Sequence, residues 1–206
     1  MAVRGRRPPS KGGEDTLVRT FVAVPVDAPV REAVARWQER LAAPGDGIKW
    51  VEPHNLHLTV AFLGDLEPED VTRVQAAVAR GSAGHPPITL HFGGFGVFPG
   101  WHAPRVLWIG AEEGAAELTA LANSVAAALL DAGFRLDERP YRPHLTVGRW
   151  RTPAGAERVR AAVAGKPSGL PSCRIDRVDI MASRLTPRGP VYSRMGHVAL
   201  QAPGEP

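Results

Sequence analysis

The tetrapeptide His-Leu-Thr-Val occurs twice, as His57–Val60 and as His144–Val147. Residues two apart on a β-strand share a face. Each copy therefore turns an imidazole and a hydroxyl to one side and two aliphatic side chains to the other. That alternation suits a strand with one buried and one open face. Any fold for this chain has to give both copies the same half-buried setting. Two such strands facing across a groove gather two imidazoles and two hydroxyls around one small volume.

Leu, Thr and Val are common in strands, so the string by itself is weak. The flanks strengthen it. Trp50-Val51-Glu52-Pro53-His54-Asn55-Leu56 leads into the first copy, and Arg139-Pro140-Tyr141-Arg142-Pro143 leads into the second. In both, a proline a few residues upstream fixes the approach of the chain. The first copy runs on through Ala61-Phe62-Leu63-Gly64 and the second through Gly148-Arg149.

The remaining periodicity supplies the scaffold. A β-branched run over 20–26 reads as a buried strand. Val30, Val34, Trp37 and Leu41 recur at helical spacing, which predicts a helix over 28–42 with Pro29 in its first turn. The first repeated strand lies within 49–64. A second helix opens at Pro68, carries Val71, Val74 and Val78 as its stripe, and ends at Gly81. Residues 88–92 alternate as a strand. The glycine-rich, aromatic stretch 93–102 reads as a strand running into a loop, and 105–111 as another strand. Alanine-rich 115–132 predicts a helix with the stripe Leu118, Leu121, Val125 and Leu129, capped by Gly133. A shorter helix is expected over 154–164. Strands over 174–185 and 191–200 close the chain about a turn at 186–190. The two copies stand 87 residues apart (144 less 57), each between helices. This order reads as two related lobes of mixed α/β structure, with the repeated strands facing across a cleft and helices outside the sheets.

Length and charge bound the class. At 206 residues the chain is long enough to bury a real core. One domain is expected over 17–200, between a disordered basic tail over 1–16 and a short C-terminal tail over 201–206. The net charge is +4. The first sixteen residues hold four basic side chains against two acidic ones, so the rest is only mildly basic. That is compatible with a polyanionic substrate without arguing strongly for one. A single cysteine, Cys173, rules out an intrachain disulfide and suits the cytoplasm. No apolar run reaches the roughly 20 residues of a membrane helix, and no signal peptide opens the chain, so no membrane association is expected.

Histidine titrates near neutrality, so one imidazole of a pair can be neutral while the other is protonated. Such a pair serves as base and acid in one displacement at phosphorus. Thr59 and Thr146 are placed to donate to non-bridging oxygens. Arg142, two residues before His144, falls on the same strand face. Arg149, five residues after, falls on the other face unless Gly148 permits a bulge that re-aims it. No HxxxH or cysteine cluster supports zinc, no G-x-S-x-G elbow supports a serine hydrolase, and no P-loop or Rossmann glycine pattern is present. The loop 98–102, with Trp101, and Tyr141 offer rings for base stacking, or else cover the edge of the core.

These residues carry a resemblance. The paired HLTV strands resemble the two H-x-T-x motifs of the two-histidine phosphoesterase superfamily. With the opening RTFVAV, NLHLTVAFLG, PRVLW and RPYRPHLTVGR, the chain is similar to the RNA 2′,3′-cyclic phosphodiesterases, also called LigT-like 2′-5′ RNA ligases. The likeness spans about residues 17–200. It departs at Met181 and Arg194, where the family often has Tyr and Pro, which bears on substrate contacts there. The resemblance implies a bilobal α+β fold with a pseudo-twofold axis, mostly antiparallel sheets lining a central cleft, and no cofactor or metal. It implies hydrolysis of an RNA 2′,3′-cyclic phosphate to a 2′-phosphate, independent of metal, with reverse 2′-5′ ligation as an accompanying possibility. Carried onto this chain, His57 and His144 are the catalytic pair. Thr59, Thr146 and Arg149 hold the phosphate, His57 is the general acid and His144 the base. RNA with a cyclic phosphate end is the expected partner, and a monomer the expected state. Two alternatives stay open. One is a phosphodiesterase for a small nucleotide such as ADP-ribose 1″,2″-cyclic phosphate, and the other a non-catalytic RNA-binding module.

Overall fold

A computed structural model describes residues 17–137, 139–164, 169–187 and 189–201. The expected tail over 1–16 and all but Gln201 of the expected C-terminal tail lie outside the described residues.

The elements run β1 (Val18–Pro25), α1 (Ala28–Leu41), β2 (Ile48–Trp50), a 3₁₀ turn at Pro53–Asn55, β3 (His57–Leu66), α2 (Asp70–Ser82), β4 (Ile88–Leu90) and β5 (Phe92–Phe98). They continue with β6 (Val106–Ala111), α3 (Ala115–Asp131), β7 (His144–Trp150), α4 (Ala156–Ala162), β8 (Cys173–Ile175), β9 (Arg177–Thr186) and β10 (Gly189–Ala199). Two four-stranded antiparallel sheets result, in the orders β10-β9-β1-β3 and β2-β7-β6-β5, with β4 and β8 as a separate ribbon. Each sheet holds one copy of the repeat. The fold is therefore two-lobed α+β with pseudo-twofold symmetry, as the resemblance implies.

The symmetry extends to the register. In the first sheet Pro25 faces His57 and Ala23 faces Thr59; in the second Gly110 faces His144 and Trp108 faces Thr146. Leu58 and Leu145, on the opposite strand faces, are both wholly buried. The helices cross over between lobes. After leaving the first sheet, α1 packs behind the second, with the Trp37 ring 5.3 Å from that of Phe95 on β5. In turn α3 leaves the second sheet and packs behind β3 of the first, while α2 lies against α3, β9 and β10. Its stripe Leu118, Leu121, Val125 and Leu129 is fully buried, as the spacing requires. The end of α3 is closed by paired bonds from Gly133 N–H to Leu130 O and from Phe134 N–H to Leu129 O. That closure needs the left-handed backbone that Gly133 supplies at φ 86°. Apolar residues of both lobes merge into one core.

Two strands expected to be continuous are broken. The strand over 88–92 stops at His91, whose backbone pairs with Glu112 and Glu113 instead of a ladder. The strand over 174–185 breaks at Asp176, whose carbonyl accepts from Leu200 N–H. The cause is the same in both: β4 and β8 pair with each other in the ribbon, while β5 and β9 belong to different sheets. Alternation alone does not reveal a change of partner. Among the described residues no helix is long and apolar enough to cross a membrane.

Candidate active site

The repeated strands lie beside each other where the two sheets meet. Both histidines are held in the same way. His57 Nδ1 lies 2.7 Å from the carbonyl of Asn55, and His144 Nδ1 lies 2.7 Å from the carbonyl of Arg142. A carbonyl only accepts, so Nδ1 carries the hydrogen in each ring. Each Nε2 is then the atom left to exchange a proton. His57 Nε2 is 3.1 Å from Thr59 Oγ1, the hydroxyl two residues on. Aromatic rings wall both imidazoles. Phe21 and Tyr192 stand 5.0 and 5.3 Å from His57, and Phe98 and Trp108 stand 5.1 and 6.0 Å from His144. The Trp108 ring lies across Gly96 on the neighbouring strand, where a Cβ would fall 2.0 Å from it.

The electrostatics favour neutral imidazoles in the free protein. Burial lowers the pKa of His57, and Arg149 and His144 push it down further; the bond to Asn55 opposes them. His144 is lowered by burial and by Arg149 against the opposing bond to Arg142. Arg149 thus acts on both rings.

Its reach comes from a bulge. Across β6 and β7, Leu107 pairs with Gly148 and Trp108 with Thr146, so Val147 has no partner and the phase of the strand shifts by one. Val147 and Gly148 are both buried, and Arg149 emerges on the side of His144 and Thr146. Gly148 fits because β2 packs so close that a Cβ there would lie 2.6 Å from Ile48. The freed carbonyl of Val147 accepts from Val51 N–H at 3.0 Å and from the side-chain amide of Gln38 at 2.9 Å. The first repeat bulges at the same place. Val22 pairs with Ala61 and Ala23 with Thr59, leaving Val60 unpaired. The side chain that emerges there is Phe62, 57% exposed. Phe62 and Arg149 are thus counterparts, one ring and one cation facing a cleft of about 490 Å³.

The lining of that cleft includes His57, Thr59, Phe62, Thr146, Arg149 and Tyr192. His144 stands at its margin, two residues before Thr146 on the same strand face. The other side chains singled out from sequence fall elsewhere. Arg142 precedes β7 and gives its carbonyl to the site. Tyr141 packs against the core with its hydroxyl buried and without a hydrogen-bond partner among the described residues, and burial drives its pKa up. Trp101 covers the core edge, 6.2 Å from Trp150 with Arg160 over its ring. Phe62, Tyr192 and Arg19 line the cleft and were missed by sequence reasoning. For Phe62 the alignment of HLTVAF with HLTVGR sets it opposite Arg149, a signal that tells only once the bulge is known. Among the described residues no three His, Cys, Asp or Glu side chains converge as a metal site.

Comparison with known proteins agrees with this geometry. Residues 25–186 match the family model of the 2′-5′ RNA ligase superfamily. A protein of Archaeoglobus fulgidus named RNA 2′,3′-cyclic phosphodiesterase is 40% identical over 177 residues, covering 85% of this chain and 96% of its own. One of the same name from Methanothermobacter thermautotrophicus is 36% identical over 180 residues, covering 86% and 96%. The crystal structure of E. coli LigT in its apo form superposes with a TM-score of 0.74 at 25% identity, over 90% of this chain and 99% of that one. On the strength of a family match across most of its length and relatives aligned nearly end to end, the chain belongs to the 2′-5′ RNA ligase superfamily.

Proposed function

We propose that this protein hydrolyses the 2′,3′-cyclic phosphate at the end of an RNA strand, leaving a 2′-phosphate and a free 3′-hydroxyl. The observation that carries the reading is the duplicated imidazole. Two rings on two strands are each fixed through Nδ1 by a carbonyl two residues back, with a hydroxyl two residues on. Relatives aligned over nearly all of this chain bear the name of that activity.

In the proposed reaction, His144 Nε2 takes a proton from water as its oxygen bonds to phosphorus. The bond from phosphorus to the 3′ oxygen breaks, and His57 Nε2–H protonates that oxygen. Thr59 and Thr146 donate to the non-bridging oxygens, and Arg149 balances the charge that builds on them. Phe62 offers its exposed ring to the terminal base. A 5′-hydroxyl of another RNA strand in the place of water gives a 2′-5′ linkage by the same displacement, the 3′ oxygen leaving as before. The acting unit is one monomeric domain over 17–200. Its one cysteine, buried and free, suits a reducing compartment such as the cytoplasm.

The test is incubation with an oligonucleotide ending in a 2′,3′-cyclic phosphate, followed by identification of the product. A 2′-phosphate is expected, and a 3′-phosphate or no turnover overturns the reading. The split of roles has its own test. A substrate whose leaving group needs no proton restores turnover to His57→Ala and not to His144→Ala; the opposite pattern exchanges the assignments.

A further inference from the structure

The cleft does not end at the histidines. Beyond Phe62 and Phe21 it continues along the open face of the first sheet, where β1, β9 and β10 present Arg19, Ser183 and Tyr192 in one cross-strand row. Arg19 is two residues, about 7 Å, along β1 from Phe21. It is exposed and lines the cleft. Its guanidinium makes no ion pair or side-chain hydrogen bond among the described residues. Arg149 comes from the second sheet, and both guanidinium groups lie within electrostatic reach of the Tyr192 hydroxyl. Lys49, also in the lining, pairs directly with Arg149 across β2 and β7. Like charges so placed repel each other. Against Arg19, Arg149 and Lys49 the lining offers one carboxylate, Glu52.

A cation in one row with two hydroxyl donors, one step past the ring at Phe62, matches a second anion. We propose that Arg19, with the Tyr192 hydroxyl beside it, holds the phosphodiester on the 5′ side of the terminal nucleotide. The subsite rests on the cyclic phosphodiesterase reading and extends it. It recognises a strand in preference to a mononucleotide, because only a strand carries that second phosphate. The row leaves Thr59, Thr146 and Arg149 to the reacting phosphate.

The experiment compares kcat/KM for three substrates: a 2′,3′-cyclic mononucleotide, a dinucleotide with the same cyclic end, and that dinucleotide with an uncharged methylphosphonate linkage. The unaltered protein is expected to favour the charged dinucleotide over the neutral one by about tenfold, the scale of one charge-assisted hydrogen bond. Arg19→Gln is expected to abolish that preference while leaving turnover of the mononucleotide unchanged. It should also flatten the dependence of log kcat/KM on log salt by about 0.7, the loss of one phosphate contact on a single strand. Equal use of the charged and neutral dinucleotides by the unaltered protein overturns the subsite alone, whether or not the variant folds. So does an equal loss on all three substrates in Arg19→Gln. No turnover of any of the three overturns the parent reading together with the subsite.

Discussion

Gln38 on α1 is a remote determinant of the site. Its amide donates to the carbonyls of Val51 at 2.8 Å and Val147 at 2.9 Å, and the side chain is buried. Val147 is the residue left unpaired by the bulge that turns Arg149 toward the histidines. Gln38→Leu keeps the volume and removes both bonds. Each neutral bond is worth about 0.5–1.5 kcal/mol net, so the loss is about 1–3 kcal/mol. The added apolar burial offsets part of that. With about 2–4 °C per kcal/mol for a chain of this size, Tm is expected to fall by several degrees. A slackened bulge also mis-aims Arg149, and kcat/KM on a cyclic-ended dinucleotide is expected to fall by about tenfold, equivalent to about 1.4 kcal/mol. The control is Val125→Ala on α3, wholly buried and packed against Gly81 of α2. It removes two methyl groups at about 0.8 kcal/mol each, with no bond to the bulge. Thermal melts and steady-state kinetics on both variants decide the matter. If Gln38→Leu loses stability yet keeps the kcat/KM of Val125→Ala, the ladder alone sets the bulge and the role given to Gln38 is refuted.

Further outcomes are expected. His57→Ala and His144→Ala each lower kcat/KM by about a hundredfold or more while folding normally, and near-normal turnover in either removes the two-histidine mechanism. Both imidazole pKa values are depressed in the folded protein. The unfolded chain therefore takes up protons first as pH falls. The histidines' contribution to stability is complete above the ordinary histidine value and is lost as pH drops through the depressed values. Urea melts over a pH series should show that loss, reduced in His57→Ala. The bell of kcat/KM against pH should centre on the acid side of the ordinary histidine value, and a bell centred above neutrality contradicts the burial argument. Thr59→Val and Thr146→Val should each cost on the order of 3 kcal/mol in the transition state at little cost in Tm. Leu58→Ala and Leu145→Ala should instead cost about 2–5 kcal/mol of stability. The reverse pattern would mean that the strands face the other way.

The repeat was legible because strand alternation is a local property, and both copies keep their histidine and threonine on one face. Arg149 was legible for a second local reason, since a glycine beside it permits the bulge. Phe62 was not, because a phenylalanine in an apolar strand reads as core until the bulge is seen to turn it out. Arg19 and Tyr192 escaped for a different cause. They meet the cleft through pairing between β1, β9 and β10, which the spacing within any one strand does not encode. Trp101 and Tyr141 show the converse: a ring beside glycines and prolines looks available for stacking, and here it packs against the core instead. The breaks at His91 and Asp176 likewise reflect which strands pair, not the residues at the breaks.

The first sheet takes its inner strand from the start of the chain and its outer hairpin from the end. At synthesis rates of about 5–20 residues per second, the roughly 150 residues between β1 and β9 place the hairpin about 8–30 s behind. Until then β1 has only β3 beside it, and its other edge is open to pairing with any strand that offers one. Closure waits on contacts of large sequence separation, the slow kind. A ribosome stalled short of β9 would therefore hold a chain that has both copies of the repeat but no wall beyond Phe21. Such a chain would be a substrate for chaperones before it could be an enzyme.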